Sequence, residues 1–302
     1  MKIFLTGANG FVGRNLIRFL LDETHEVTGL VRTDAKGKSL PPGASYVVGD
    51  GTRAGTWQDS VSDHDVLINL AGVPIFKRWP PAYKQLLRDT RILTTRNLVN
   101  AIPTENGSSI TLLSTSAVGY YGSAGDEELG EASPPGDDFL AALAVDWEAE
   151  AAKALKKGVR VIVARFGIVL GRDGGALPEM ILPFRLFAGG PLGTGMQWFS
   201  WIHVEDLCRA AHFVLTRKDI NGPVNFTAPG PLRNREFARA VGKKLRRPSI
   251  MPAPAFMIRL FMGEFGSAIL AGQRVVPLVL QSTGFEFKFL DIETALEDLL
   301  TH

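Results

Sequence analysis

The stretch "KIFLTGANGFVG", residues 2–13, decides the fold. A short apolar run, "KIFLT", meets a turn in which Gly7, Gly10 and Gly13 are spaced three apart. "VGRNLIRFLLD" then carries apolar residues at three- and four-residue steps, the period of a helix. Each glycine has its own use in such a turn. Gly7 permits the tight bend, Gly10 lets backbone approach a pyrophosphate, and Gly13 lets the helix pack closely. The residues around the helix start, Asn9, Phe11 and Val12, offer unpaired N–H groups and the positive end of the helix dipole to phosphates. A glycine triplet alone carries little. Its place after a strand and before a helix makes it a dinucleotide fingerprint.

Outward from that turn, strands and helices alternate. "EVTGLVR" (26–32), "SYVVGD" (45–50), "DVLINLAG" (65–72), "SITLLSTS" (109–116) and "GVRVIVARFG" (158–167) read as strands. Residues 80–102 read as a long helix ending near Pro103. "GDDFLAALAVDWEAEAAK" (136–153) reads as another, capped by Asp137 or Asp138, with Leu140, Leu143, Trp147 and Ala151 on one stripe. Alternation of this kind implies an α/β fold: a Rossmann-type, doubly wound parallel sheet covered on both faces. The regularity weakens after about residue 170. The expected organisation is a Rossmann domain over 1–167, with 199–227 returning to it. A smaller, mostly helical substrate lobe takes 168–198 and 228–302.

The tip of the second strand selects the cofactor. An acidic residue there would bond a ribose 2′-hydroxyl and repel a 2′-phosphate. The strand ends "GLVRTD", so Arg32 is available to pair with a 2′-phosphate and NADP is favoured over NAD. Asp34 complicates this, because it can turn toward the ribose instead. Asp50 is placed to accept from the adenine amine, or is a turn aspartate. Leu70, Ala71 and Gly72 end the fourth strand beside the cofactor ribose, and Phe166, Gly167 and Ile168 follow the sixth at the nicotinamide end.

Composition narrows the class. The 302 residues include 33 Lys+Arg and 31 Asp+Glu, a near balance that argues against a nucleic-acid or membrane footprint. "GKKLRRP" (242–248) is the one locally basic segment and reads as the solvated end of a helix. The acidic run Asp126, Glu127, Glu128 and Glu131 reads as a solvated loop. No apolar run approaches a membrane span. Cys208, the single cysteine, forbids an internal disulfide and fits a reducing, cytoplasmic compartment. The five histidines show no zinc-ligand spacing, so no metal is expected. "NGS" (106–108) and "NFT" (225–227) match the glycosylation acceptor pattern and mean little without an export signal.

Five motifs, "TGANGFVG", "INLAG", "LLSTSAVGYYG", "ARFGIVLG" and "SWIHVEDL", occur in the order that marks extended short-chain dehydrogenase/reductases, the NAD(P)-dependent sugar epimerases and dehydratases. The tail "GEFGSAILAGQRVVPLVLQSTGFEFKFLDIETALEDLL" resembles atypical members that end in a short helical domain of unknown function. The resemblance implies a cofactor lying across the strand ends, a small-molecule substrate and a pairing helix such as 80–102 in a homodimer. It also implies a Ser or Thr hydroxyl, a Tyr acid/base and a Lys four residues after that Tyr. Ser116 matches the serine. The Tyr and Lys belong at 139–145, which read "FLAALAV". The four tyrosines are 46, 83, 120 and 121, and none is followed by Lys at the fourth position. Tyr120 and Tyr121 are then the candidates for the remaining hydroxyl. A tyrosine with no cationic neighbour keeps its pKa near ~10 and is a poor base at neutral pH. Arg165 reads as structural, pairing with a carboxylate. Two readings stand: an NADP(H)-dependent oxidoreductase or epimerase-like enzyme, or a non-catalytic NADP(H)-binding sensor.

Overall fold

The computed structural model describes residues 1–104 and 109–301, so the acceptor pattern at 106–108 lies outside the described residues. The first part of the chain runs β1 (Lys2–Thr6), α1 (Phe11–Asp22), β2 (Glu26–Val31), the one-turn α2 (Asp34–Gly37), β3 (Ser45–Val48), β4 (Val66–Asn69), α3 (Pro81–Ala101), β5 (Thr111–Ala117), β6 (Glu128–Leu129), α4 (Phe139–Ala152) and β7 (Arg160–Phe166). The remainder runs β8 (Ile168–Gly171), β9 (Gly174–Gly175), α5 (Leu177–Arg185), β10 (Trp198–Phe199), β11 (Trp201–His203), α6 (Val204–Thr216) and β12 (Gly222–Phe226). It ends with β13 (Leu232–Arg233), α7 (Asn234–Leu245), α8 (Ala255–Met262), α9 (Glu264–Leu270), β14 (Arg274–Val275), α10 (Leu278–Ser282) and α11 (Ile292–Leu300).

Seven strands form one parallel sheet in the order β12-β7-β5-β4-β1-β2-β3. The chain leaves β1 toward β2 and β3 on one side and takes up β4 on the other. The crevice between β1 and β4 is therefore the topological switch point, where open α/β sheets bind ligands. Successive strand residues face opposite ways. Ile3 and Leu5 meet α1 and α6 through Leu16, Ile17, Leu207 and Val214. Phe4 points to the other face, with Leu98, Val99 and Ala151 from α3 and α4. Both faces are covered, which is why these strands read as continuous apolar runs.

Local sequence sets the helix ends. Pro81 opens α3 at a position whose N–H would be unpaired anyway. Asp138 caps α4, its carboxylate accepting the Ala141 N–H at 2.8 Å.

Beyond β7 the chain builds a smaller unit and also returns to the sheet. β8, β9 and β11 form a three-stranded sheet. α5, α7 and α11 close over it around Phe199, Trp201, Phe237 and Leu296. β12 becomes the edge of the main sheet, α6 packs on α1, and Leu280 and Phe285 join the main-sheet core.

The start of α6 pins the C-terminal segment. Asp206 is buried, and its two oxygens accept the N–H groups of Lys288 and Phe289, each at 2.9 Å. Asp206→Ala would strand both donors and is expected to lower unfolding stability by about 2–4 kcal/mol, read by urea denaturation. His203 caps α6, its Nδ1 accepting the Glu205 N–H at 3.1 Å, while Nε2 lies 3.3 Å from Asp298 Oδ2. Burial holds the imidazole pKa below its ordinary value, outweighing the carboxylates of Asp298, Glu205 and Asp206. The unfolded chain takes up this proton as pH falls through about 6.5, and the folded chain does so only lower. Stability from this group is thus present above that pH and lost below it. His203→Asn keeps a capping oxygen and should flatten that part of the acid limb in a pH series of melts.

Candidate functional site

The β1–α1 turn has the geometry its glycines require. Gly7 has φ +71°, and a Cβ there would sit 2.8 Å from the Leu70 carbonyl carbon and oxygen. The ends of β1 and β4 can approach this closely only with glycine between them. A Cβ on Gly13 would lie 2.4 Å from the Gly7 oxygen, so α1 packs on the turn itself. Gly10 is exposed, begins α1 and has no side-chain cap. The first-turn N–H groups of Phe11, Val12 and Gly13 therefore have no intrahelical partner, at a helix start whose N-cap residue has no side chain to occupy them. These residues fit a diphosphate. Leu70, Ala71 and Gly72 form the facing wall.

Arg91, missed by sequence reasoning, stands beside Gly72. A Cβ on Gly72 would meet its guanidinium carbon at 3.0 Å. Its nitrogens donate to the carbonyls of Leu87 and Val73, each at 3.1 Å, and no carboxylate pairs with it among the described residues. Burial pushes its pKa down to about 10. In sequence it is one of three arginines on α3, with nothing to single it out.

Arg32 is exposed at the end of β2, and no carboxylate is paired with it among the described residues. Asp34 is turned away, accepting the Tyr46 hydroxyl at 2.6 Å and pairing with Lys38 at 2.6 Å. The Lys38 and Tyr46 hydrogen bonds hold its carboxyl below the usual range. Asp50 closes a local turn, with Oδ1 accepting both the N–H and the hydroxyl of Thr52.

Behind the strand ends lies a buried polar cluster. Ser116 Oγ donates to Glu148 Oε1 at 2.6 Å. Arg165 meets the same carboxylate in a fork, Nε to Oε1 at 2.9 Å and Nη2 to Oε2 at 2.8 Å. Its Nη1 donates to the Tyr121 hydroxyl at 2.9 Å, and that hydroxyl donates to Asn225 Oδ1 at 2.7 Å. The Arg165 guanidinium also lies 3.5 Å from the centre of the Tyr120 ring. A cation thus stands beside both tyrosines, which the sequence did not reveal. Even so, burial outweighs Arg165 at Tyr121 and raises its pKa above the ordinary value. Ser116 and Tyr121 are 1% and 3% exposed. Tyr120 is half-buried, and its hydroxyl has no partner among the described residues.

The segment 139–145 is apolar in structure as in sequence. Phe139, Leu140 and Leu143 pack with Trp79 and Phe265, the last from α9. Lys153, just past the end of α4, is exposed and pairs at 2.8 Å with the buried Glu150. Phe166 packs against Phe226 with the rings tilted, and Gly167 passes Ser200 so closely that a Cβ would lie 2.9 Å from its carbonyl oxygen. The Ile168 N–H donates to that same oxygen at 2.9 Å.

The acidic run is stitched into the fold. Asp126 pairs with Arg233, Glu128 with Arg274 at 3.2 Å, and Glu131 accepts the N–H groups of Asn225 and Val279. A groove of about 560 Å³ between α1, α6 and α11 is lined by Arg14, Arg18, Arg172, Asp22, Asp173 and Asp298, a mixture that selects no ligand class. Cys208 is buried and its thiol is pushed up to about 12, which suits packing. No cluster of potential metal ligands occurs among the described residues.

The Glu148–Arg165 pair is nearly shut off from water, so removing one partner leaves the other charge uncompensated. Arg165→Met should cost about 3–5 kcal/mol, and adding Glu148→Leu should return a large part of that. A double-mutant cycle in denaturant melts measures both.

A model of the NAD dependent epimerase/dehydratase family matches residues 3–226, and one of a domain of unknown function, DUF1731, matches 253–299. An Arabidopsis thaliana protein, the chloroplastic homolog of epimerase family protein SDR39U1, is 40% identical over 99% of this chain and 87% of its own length. Epimerase family protein YfhF of Bacillus subtilis is 38% identical over 99% of this chain and 98% of its own. Human epimerase family protein SDR39U1, whose crystal structure was determined with NADPH, superposes with a TM-score of 0.86 at 32% identity, covering 100% of this chain and 99% of that one. The glycine turn at the switch point, the seven-stranded sheet and the helical tail thus have one common source: the chain belongs to the NAD-dependent epimerase/dehydratase family.

Proposed function

We propose that this protein is an NADP(H)-dependent oxidoreductase or epimerase-like enzyme acting on a small molecule. The observation that carries the cofactor choice is the pair Arg32 and Asp34. The guanidinium is exposed at the strand tip and paired with no carboxylate among the described residues, while the carboxylate that would repel a 2′-phosphate is engaged by Tyr46 and Lys38. The human relative determined with NADPH supports the same choice. In this reading Gly7, Gly10 and Gly13 shape the turn, and the N–H groups of Phe11, Val12 and Gly13 hold the diphosphate. Bound nicotinamide supplies or accepts a hydride.

The chain's own contribution is orientation and polarisation. Tyr120 holds the free hydroxyl in the "YYG" segment and is the residue assigned to hydrogen-bond a substrate oxygen. Ser116 and Tyr121 act as positioning residues: through Glu148 and Arg165 they fix the ring of Tyr120 from behind. No Tyr–Lys pair moves the proton, so water is the proton source and turnover is slow, on the order of 10²–10⁴-fold below an enzyme with that pair.

One observation favours a second reading. The hydroxyls of Ser116 and Tyr121 are buried and already committed, which suits a cofactor-responsive binding module that performs no chemistry. Titration calorimetry and a carbonyl-reduction panel separate the readings. NADPH is expected to bind more tightly than NADH, and Arg32→Ala to weaken NADPH about tenfold to a hundredfold with NADH unchanged. Consumption of NADPH that falls in Tyr120→Phe supports the enzyme. Tight binding without turnover across the panel supports the module. Equal affinity for both cofactors would remove the role given to Arg32.

A further inference from the structure

Two segments far apart in sequence, 180–197 and 237–263, contain no aspartate or glutamate and together carry seven lysines and arginines. The fold zips them side by side. The Met251 N–H donates to the Gly189 carbonyl at 3.2 Å, Ala253 to Pro191 at 3.0 Å, and Gly193 back to Ala253 at 2.8 Å. The result is one surface on which several large apolar side chains point outward, while Ile181, Phe184 and Phe237 turn into the core. On α8 only Ile258 is buried. Phe256, Leu260 and Phe261 are 68%, 67% and 64% exposed, and Ile250 and Leu186 on the adjoining strip are 85% and 68% exposed. Arg185, Arg246, Arg247 and Arg259 stand on or around this surface, and none is paired with a carboxylate among the described residues. The Arg247 guanidinium lies 4.3 Å from the centre of the Phe187 ring, so the charge adjoins the apolar strip directly.

An apolar face of this extent in contact with water marks an interaction site. Its charge identifies the occupant. A second copy docking by the same face would set arginines against arginines, because a two-fold interface is self-complementary. An anionic lipid surface matches both features at once: aromatic and leucine side chains enter the acyl boundary while guanidinium groups meet phosphates. We propose that the α5–α8 face docks this protein peripherally on a membrane surface rich in acidic phospholipid. The near-neutral composition conceals the site, since the balancing carboxylates lie outside these two segments, with Glu179, Glu236 and Glu264 at their borders and Glu297 on Lys244. No helix among the described residues is long and apolar enough to cross a membrane, and the proposed attachment is peripheral.

Flotation of the full chain with lipid vesicles tests the proposal, with light scattering for oligomeric state and thermal melts for integrity. Binding to phosphatidylcholine vesicles containing phosphatidylglycerol is expected to exceed binding to phosphatidylcholine alone by about tenfold or more, and to weaken in high salt. Leu260→Glu with Phe261→Glu should abolish flotation. Arg246→Glu with Arg247→Glu should erase the preference for the anionic vesicles. Both pairs change exposed side chains and should leave Tm unchanged. Equal partition to the two vesicle types, flotation indifferent to both variants, or a stable dimer that the Leu260/Phe261 variant turns into monomer would each overturn the proposal, the last in favour of a protein partner.

Discussion

The close passage of Gly7 against Leu70 governs the rest of the molecule. It brings the ends of two neighbouring strands within van der Waals contact at the one place where the sheet changes direction. A side chain at Gly7 would push β4 away, and one at Gly13 would lift α1 off the turn. Either change would open the crevice at which the positive end of the α1 dipole lies. Covering both faces of the sheet, sealing the β12 edge with α10 and packing α6 on α1 all keep that crevice in register.

Behind the crevice, the positions at which the family resemblance leads one to expect a tyrosine and a lysine are taken up by packing. The stretch of α4 that would carry tyrosine and lysine carries Phe139, Leu140 and Leu143 against Trp79 and Phe265, so α9 leans on α4. One turn deeper, charge reappears as Glu148 and Arg165, but nearly out of water. A buried, fully bonded pair of this kind orients its neighbours and resists gaining or losing a proton. Ser116, Tyr121 and Asn225 are all satisfied through it, directly or at one remove. The same cluster reaches the C-terminal segment, since Glu131 holds the N–H groups of Asn225 and Val279, and Asn225 donates to the Val276 carbonyl. The tail is therefore built into the architecture around the site.

Charge is distributed by fold as much as by composition. Asp126, Glu128 and Glu131 look like a solvated run in sequence, yet each bonds to a segment brought near by folding. Arg233 and Arg274 both lie against the ring of Trp198, at 3.9 Å and 5.1 Å. Arg185, Arg246, Arg247 and Arg259 on the α5–α8 face, by contrast, pair with no carboxylate among the described residues, although Lys244 pairs with Glu297.

The sequence alone determined the sheet, its parallel sense, the glycine turn and the helix starts, because periodicity, caps and glycine spacing are local properties. It also determined that no Tyr-x-x-x-Lys exists, since that is a matter of order along the chain. It indicated that Arg165, in an otherwise apolar strand, needs a carboxylate, but not that Glu148 supplies it, 17 residues earlier on the preceding helix, α4. Tertiary structure alone decided that Asp34 is engaged by Tyr46 and Lys38, that among the described residues the Tyr120 hydroxyl has no partner while that of Tyr121 does, and that Arg91 stands beside Gly72 with no carboxylate among them. It also joined two acid-free segments into one apolar, basic face. The physical reason is common to all of these. Burial and pairing depend on which distant segments the sheet order and its returning C-terminal strand bring into contact, and no window of neighbouring residues contains that information.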